Sequence, residues 1–214
     1  MAYVTVDEQL SSALSAAGLG PGGQGHGVRS GMSPQTVAKH DAAVFRMIAG
    51  AVVSGLVERG QFELARRDTA VRCCRDGEPR SSVEQFVLSQ LPTGRTTWLR
   101  RVVASTEVAL AEGSVKYVPA PARADVVSRL TAVAGGAQGS SRDCLLLALL
   151  HVTRCDVVVL GPQLLGFSER RLRTACRIAG RSDPLAKAML TAMGGRAMVE
   201  WVDGPLDVLM DFLP

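Results

Sequence analysis

Apolar positions recur with a helical period between residues 33 and 60. They are spaced by three and four and so share one helix face: Phe45, Ile48, Val52 and Leu56. Ser33 fits an N-cap, Pro34 fits the first helical position, and Gly60 fits the C-terminal stop. Residues 61–64 then alternate as a half-buried strand does. The pattern predicts a long helix followed by a short strand.

The same predicted helix contains two glycines in its middle, Gly50 and Gly55. Each costs roughly 1 kcal/mol relative to alanine inside a helix. Other small residues surround them, including Ala51 and Ser54. Because small residues let another helix approach closely, we interpret this segment as a helix that runs through the middle of a helical bundle.

A second segment, residues 98–118, repeats this order. Its apolar positions indicate a helix: Val103, Val108 and Leu110. Gly113 fits the stop of that helix, and residues 115–118 alternate roughly as a strand does. The predicted order of a helix, a glycine and a short strand therefore occurs twice in the chain. Winged-helix proteins use a similar unit, so a DNA-binding interpretation stays open.

Apolar periodicity and capping residues predict further helices at residues 6–17, 124–134, 142–160, 168–179 and 183–192. The segment 142–160 is apolar nearly all round and should lie in the core. We expect a mostly α fold, a single compact helical globule with short β-strands or hairpins. Residues 1–32 would add an N-terminal helix and a glycine-rich loop to a helical core at 33–195, and an acidic, apolar tail would follow at 196–214.

The charge is distributed unevenly along the 214 residues. The net charge is +4, but the tail at 196–214 carries one arginine against four acidic residues, which gives −3 there and +7 on the rest. A basic body with an acidic tail suggests an anionic partner, either a membrane surface or a nucleic acid.

Cysteine and histidine spacing gives no support for a metal site. The five cysteines form no Cys-x-x-Cys pair: Cys73, Cys74, Cys144, Cys155 and Cys176. The three histidines have no zinc-ligand spacing. We expect reduced, mostly buried thiols and neither a metal nor another cofactor. The most apolar run, residues 144–150, is far below the ~20 residues of a membrane span, and no signal peptide is evident.

The segment "MIAGAVVSGLVERGQFEL", residues 47–64, resembles the alanine-glycine helix, Arg-Gly turn and short strand near the start of the Golgi phosphoprotein 3 family. The order of the later motifs is similar to that family. A tryptophan-arginine helix ends in Glu112-Gly113, and "SRDCLLLALLHVTRCDVVVLG" and "RRLRTACRIAG" follow. The resemblance spans residues 33–194 and suggests a bacterial member. It implies an α-helical protein that binds membranes peripherally and has no catalytic activity.

The eukaryotic members of that family bind phosphatidylinositol 4-phosphate and the cytosolic tails of glycosyltransferases. The resemblance therefore implies phosphatidylinositol 4-phosphate or another acidic phospholipid as the partner, together with protein tails. It also implies a basic pocket in which arginines fork around a phosphate beside an aromatic ring. In this chain His40 and Ala49 stand where the family has a tryptophan and an arginine. We therefore expect a looser affinity for anionic lipid.

The family's second pair of basic positions, aligned on Gly113, is occupied by Leu99 and Val102, and two arginines lie between them. Basic residues near an anionic leaflet contribute about 1 kcal/mol each, so several on one face would adsorb the protein to a membrane. Seven arginines are our candidates for binding the lipid head group: Arg46, Arg66, Arg67, Arg100, Arg101, Arg170 and Arg173.

Two other function classes compete with lipid binding. A winged-helix-like DNA-binding regulator would use the repeated unit, with nucleic acid as the partner. An enzyme would need Cys73 beside Cys74, or His40 beside Asp41, to supply its chemistry, and no Ser/Cys-His-Asp order or paired carboxylates support it. We predict a non-enzymatic peripheral membrane adaptor, cytoplasmic and located at the inner face of the membrane.

Overall fold

The computed structural model describes residues 34–65, 69–74, 77–118, 124–153, 155, 159–160, 174, 177, 180–181 and 183–194, with 34–40, 124 and 194 described for their backbone alone. The predicted helix at 6–17, the glycine-rich loop, most of the predicted helix at 168–179 and the acidic tail lie outside these residues. Four of the candidate arginines also lie outside them: Arg66, Arg67, Arg170 and Arg173.

The described residues form six helices and one three-stranded antiparallel sheet. Their order is α1 (Pro34–Glu58), β1 (Phe62–Ala65), β2 (Ala70–Cys73), α2 (Ser82–Gln90), β3 (Thr96–Trp98), α3 (Leu99–Ala111), α4 (Ala124–Ala134), α5 (Ser141–Val152) and α6 (Pro184–Gly194). The predicted mostly α fold with short strands is confirmed. None of these six helices is long and apolar enough to cross a membrane.

Helix α1 runs through the middle of the fold and contacts α2, α3, α5, α6 and β1. Every residue from Met47 to Leu56 is buried. A Cβ atom added at Gly50 would lie 2.5 Å from Sδ of Met193 and 3.2 Å from Cε of Met189, both on α6. The missing side chain therefore makes room for α6, which confirms the predicted packing role of this glycine.

Helix α1 ends where the sequence predicts. Gly60 has a φ of 67°, in the left-handed region that favours glycine. Its N–H donates to the Val57 carbonyl at 2.9 Å, and the Gln61 N–H donates to the Leu56 carbonyl at 3.0 Å. This pair of bonds is a Schellman motif, which satisfies carbonyls of the last helical turn. The predicted strand follows one residue later, as β1.

The second predicted unit is only half correct. Helix α3 ends before Gly113, which has a φ of 70°, but residues 114–118 form no strand. Val115 is buried instead, and its N–H donates to the Ala109 carbonyl at 3.3 Å. Val108 is also not a core residue, since 52% of it is exposed. The strand associated with this helix is β3, which comes before it.

The sheet has one face against the core and one toward solvent. Strand β2 lies in the middle, with Phe62 opposite Cys73 in β1 and Val71 opposite Thr97 in β3. Phe62, Val71 and Cys73 are buried and pack into the core. Because side chains alternate along a strand, Arg72, opposite Thr96, and the neighbouring Trp98 belong to the other face.

Helix α4 has the predicted bounds, whereas α5 is shorter than predicted. Ser140 begins α5 with a capping box: its Oγ accepts from the Asp143 N–H at 3.1 Å, and the Asp143 carboxylate accepts from the Ser140 N–H at 3.3 Å. Residues 144–150 are all buried, as predicted. The helix ends at Val152 and does not continue to residue 160, although residues 159–160 are helical again.

None of the described cysteines is part of a disulfide bond. Cys73, Cys144 and Cys155 are buried, and Cys74 is exposed. The prediction of mostly buried thiols is confirmed for the described cysteines, and Cys176 lies outside the described residues. Cys74 is the exposed one because it follows the last residue of β2, where the chain leaves the sheet.

Candidate anion-binding site

Arg46 is held in an ion pair between two helices. Its Nε donates to Oε2 of Glu107 at 2.8 Å, and its Nη2 donates to Oε1 at 2.9 Å, so α1 is joined to α3 by a bidentate pair. The hydrogen bond to the Glu107 carboxylate raises the pKa of Arg46, with a coulombic contribution from the same carboxylate and burial opposing it. Because the charge is already neutralised, Arg46 does not offer a free guanidinium to a ligand.

Arg100 and Arg101 occupy the first turn of α3, and both are exposed. Neither has a carboxylate partner within the described part of the chain. Ala49, which stands where the resembled family has an arginine, is fully buried in α1 and contributes to the core. His40 belongs to α1, but its side chain lies outside the described residues.

A cavity of about 390 Å³ opens beside Arg101. It lies between the end of α2, the turn after α2, strand β3 and the first turn of α3. We call it the arginine cavity. Its lining residues are Gln90, Leu91, Pro92, Arg95, Thr96, Thr97, Arg101 and Val102. They include two arginines, two threonines and one glutamine, and no acidic residue.

The electrostatics of the arginine cavity favour an anion. The chain has no acidic residue between Glu84 and Glu107, a stretch that contains Arg95, Arg100 and Arg101. The N-terminus of α3 adds a partial positive charge, because Trp98 occupies the N-cap position and its side chain makes no capping hydrogen bond. Guanidinium groups, hydroxyls and a helix N-terminus are the donors that phosphate oxygens commonly bind.

Helix α2, whose end forms one wall of the arginine cavity, is positioned by a buried ion pair. Ser81 caps α2 by accepting from the Glu84 N–H at 3.2 Å. The Glu84 carboxylate is fully buried, accepts from the Arg80 N–H at 2.8 Å, and lies 2.7 Å from Nη2 of Arg59. The Arg59–Glu84 contact is a close ion pair whose orientation is not that of a linear hydrogen bond. It fixes α2 against the end of α1.

The turn after α2 brings Arg95 to the cavity. The Arg95 N–H donates to the Pro92 carbonyl at 3.0 Å, and Gly94 between them has a φ of 80°. The Gly94 N–H donates to the Cys73 carbonyl at 2.8 Å, and the Cys73 N–H donates to the Arg95 carbonyl at 3.2 Å. The backbone of this turn is therefore tied to β2, which places Arg95 near the start of α3.

A larger cavity, of about 570 Å³, lies beside the N-terminus of α5, and its charges are paired. Nη2 of Arg142 donates to Oε1 of Glu58 at 3.0 Å, and Nη1 of Arg129 donates to Oδ2 of Asp125 at 2.8 Å. The Asp143 carboxylate on its wall already belongs to the α5 capping box. Mutual neutralisation leaves this cavity without an excess of positive charge, so the smaller cavity is the better anion site.

Sequence reasoning identified Arg100 and Arg101 but missed Arg95. The signal for Arg95 was available in "LPTGR", residues 91–95, where proline and glycine predict a turn next to the tryptophan-arginine helix. Among the described residues, no group of three or more histidine, cysteine, aspartate or glutamate side chains is placed to hold a metal ion.

Comparison of the chain with family models, with curated proteins and with solved structures finds no match in any of the three.

Proposed function

We propose that this protein is a peripheral membrane adaptor that binds the phosphate of anionic lipid head groups in the arginine cavity. The observation that carries the proposal is a cavity beside the first turn of α3 that is lined by Arg95, Arg101, Thr96 and Thr97 and by no acidic residue. Its volume of about 390 Å³ is in the range of small-molecule sites, which typically measure about 300–1,000 Å³.

The three arginines of this region have two different roles in this proposal. Arg95 and Arg101 contact the phosphate, since both line the cavity. Arg100 lies on the same helical turn but does not line the cavity, so it contributes to the general attraction of the anionic leaflet. The adaptor role, with phosphatidylinositol 4-phosphate as the preferred lipid and protein tails as further partners, follows from the resemblance to the Golgi phosphoprotein 3 family.

The DNA-binding alternative has less support. A recognition helix must present side chains to the major groove. In the first helix-glycine-strand unit, α1 is buried from Met47 to Leu56, and in the second unit residues 114–118 form no strand that could serve as a wing.

Co-sedimentation with liposomes tests the proposal. The vesicles contain phosphatidylcholine alone, phosphatidylcholine with phosphatidylserine, or phosphatidylcholine with phosphatidylinositol 4-phosphate at matched surface charge, each at low and at physiological salt. We expect binding to both anionic vesicles and stronger binding to the phosphoinositide. The absence of binding to every anionic vesicle at low salt would refute the proposal.

Three single substitutions separate the cavity from general charge. Arg101→Gln should lower phosphoinositide binding roughly tenfold, because a hydrogen bond to a charged group contributes about 1.5–3 kcal/mol. Arg100→Gln should weaken binding to all anionic vesicles about fivefold, which corresponds to ~1 kcal/mol. Lys116→Gln removes the same charge beyond the other end of α3, a helix of about 20 Å, and should have the smallest effect. Equal effects of all three would show that net charge alone governs binding.

A further inference from the structure

Trp98 combines high exposure with an aromatic side chain. Its exposed fraction is 52%, and it is the only aromatic residue among the exposed large apolar residues of the described chain. It is the last residue of β3 and the N-cap residue of α3, so its backbone is fixed by both elements. Tryptophan has an apolar ring system and a polar N–H, and for this reason it is enriched at membrane–water interfaces.

Three arginines lie within three positions of Trp98 in the chain. Arg95 precedes it, Arg100 and Arg101 follow it, and all three are exposed. On the sheet, Trp98 also shares its face with Arg72 of β2, whose charge is neutralised by Glu63 in an ion pair. The three arginines near Trp98 in the chain make this surface complementary to an anionic lipid surface, since arginine charges meet phosphates while the ring lies at the head-group level.

Helix α3 continues this surface with apolar residues. Its exposed positions after the first turn include Ala104, Val108 and Ala111, spaced by four and three and therefore on one helix face. The acidic residue of this region, Glu107, is largely covered and is paired with Arg46. No uncompensated negative charge follows the arginines until Glu112, at the end of the helix.

We infer that this surface, the Trp98 face (Trp98, Arg100, Arg101, Ala104, Val108 and Ala111), lies on the membrane with the Trp98 indole inserted at the level of the lipid head groups. The inference rests on the proposed function and extends it, because it fixes which side of the protein faces the bilayer. It commits to an anionic bilayer as the occupant: a run of arginines without acids would repel a second copy of the same face.

Tryptophan fluorescence tests this inference in the full chain. The sequence contains two tryptophans, Trp98 and Trp201, so Trp201→Phe leaves Trp98 as the only indole and Trp98→Phe leaves Trp201 as the matched control. Each variant is mixed with vesicles of phosphatidylcholine and phosphatidylserine, with and without lipids brominated on the acyl chains near the head group. Co-sedimentation is measured on the same samples.

We expect the emission of Trp98 to shift to shorter wavelength on anionic vesicles and to be quenched by the brominated lipids. Trp98→Ala should lower vesicle partition roughly tenfold or more, because about half of a large aromatic side chain would leave the interface. Trp98→Phe keeps an apolar ring and should lose less. Circular dichroism of each variant checks that its fold is retained.

The other outcomes overturn the inference in distinguishable ways. Sedimentation with anionic vesicles and unchanged Trp98 emission would refute the orientation while the proposed function stands. A Trp98 shift produced by inorganic phosphate alone would mean that the ring senses the cavity and not the bilayer. A shift that depends on protein concentration without vesicles would indicate self-association through this face. No sedimentation with any anionic vesicle would refute both the orientation and the proposed function.

Discussion

The buried pair of Arg59 and Glu84 gives the sharpest stability prediction. The side chain of Glu84 is 0% exposed and that of Arg59 is 14% exposed, with 2.7 Å between Nη2 and Oε1. In Arg59→Ala the Glu84 carboxylate would stay buried and would still accept from the Arg80 N–H at 2.8 Å. Removing one partner of a buried pair typically costs about 3–5 kcal/mol, because the other charge is left without compensation.

That cost is a large fraction of the free energy of unfolding, which for typical proteins is about 5–15 kcal/mol. For a chain of this length each kcal/mol changes Tm by about 2–4 °C, so Arg59→Ala should lower Tm by roughly 6–20 °C. Urea unfolding followed by far-ultraviolet circular dichroism measures the free energy, and a thermal scan measures Tm.

Two controls define what would contradict this reasoning. Arg72→Ala breaks the ion pair between Arg72 and Glu63, in which the two side chains are 50% and 45% exposed. This substitution should lower the free energy of unfolding by less than ~1 kcal/mol. Arg59→Ala combined with Glu84→Gln should be more stable than Arg59→Ala alone, since the unpaired charge is gone. If Arg59→Ala costs no more than Arg72→Ala, water reaches Glu84 and the buried-pair explanation is wrong.

Three further predictions concern packing, capping and thiol reactivity. Gly50→Leu should lower the free energy of unfolding in urea by about 1–3 kcal/mol, because the new side chain would overlap the methionines of α6. Gly50→Ala should lower it less, because the flexible end of a methionine side chain can move. Ser140→Ala should cost ~1 kcal/mol through loss of the α5 N-cap, and a similar loss in the adjacent Ser141→Ala would contradict this. Peptide mass spectrometry should show that Cys74 is alkylated before the buried cysteines of the described chain. Its alkylation should nevertheless be slow at neutral pH, because desolvation, followed by the Glu63 carboxylate, raises the pKa of the Cys74 thiol. Faster labelling of Cys74 below pH 8 than of a free model thiol would refute that last prediction.

The site could be predicted only in part, because ion pairs join residues that are distant in sequence. The sequence alone does not distinguish Arg46 from Arg100, since both are arginines on predicted helices. The structure shows that Arg46 is neutralised by Glu107, which lies 61 positions further along the chain. No local pattern contains that partner. Arg95 shows the opposite case, since a turn carries it to α3 although no periodicity marks it.

Local patterns did determine several elements of the fold. Glycines with positive φ and a proline at the first helical position are short-range signals, so the bounds of α1 and the start of β1 followed from the sequence. Apolar periodicity likewise predicted α4 at its observed bounds. Strand β1 also has only four residues, but it follows the glycine that ends α1, whereas β2 and β3, with four and three residues, do not directly follow a helix stop.

The sequence by itself therefore determined the mostly α fold, the central position of α1 and the basic character of the α3 start, because each depends on neighbouring residues and on overall composition. The tertiary structure decided which arginines are free. It paired Arg46 with Glu107, buried Ala49, and set Arg95 beside Arg101 around one cavity. Those arrangements depend on contacts between α1, β3 and α3 that form only when the chain folds. An anion-binding site consists of the positive charges that are left after ion pairs have formed, so it follows from the folded structure.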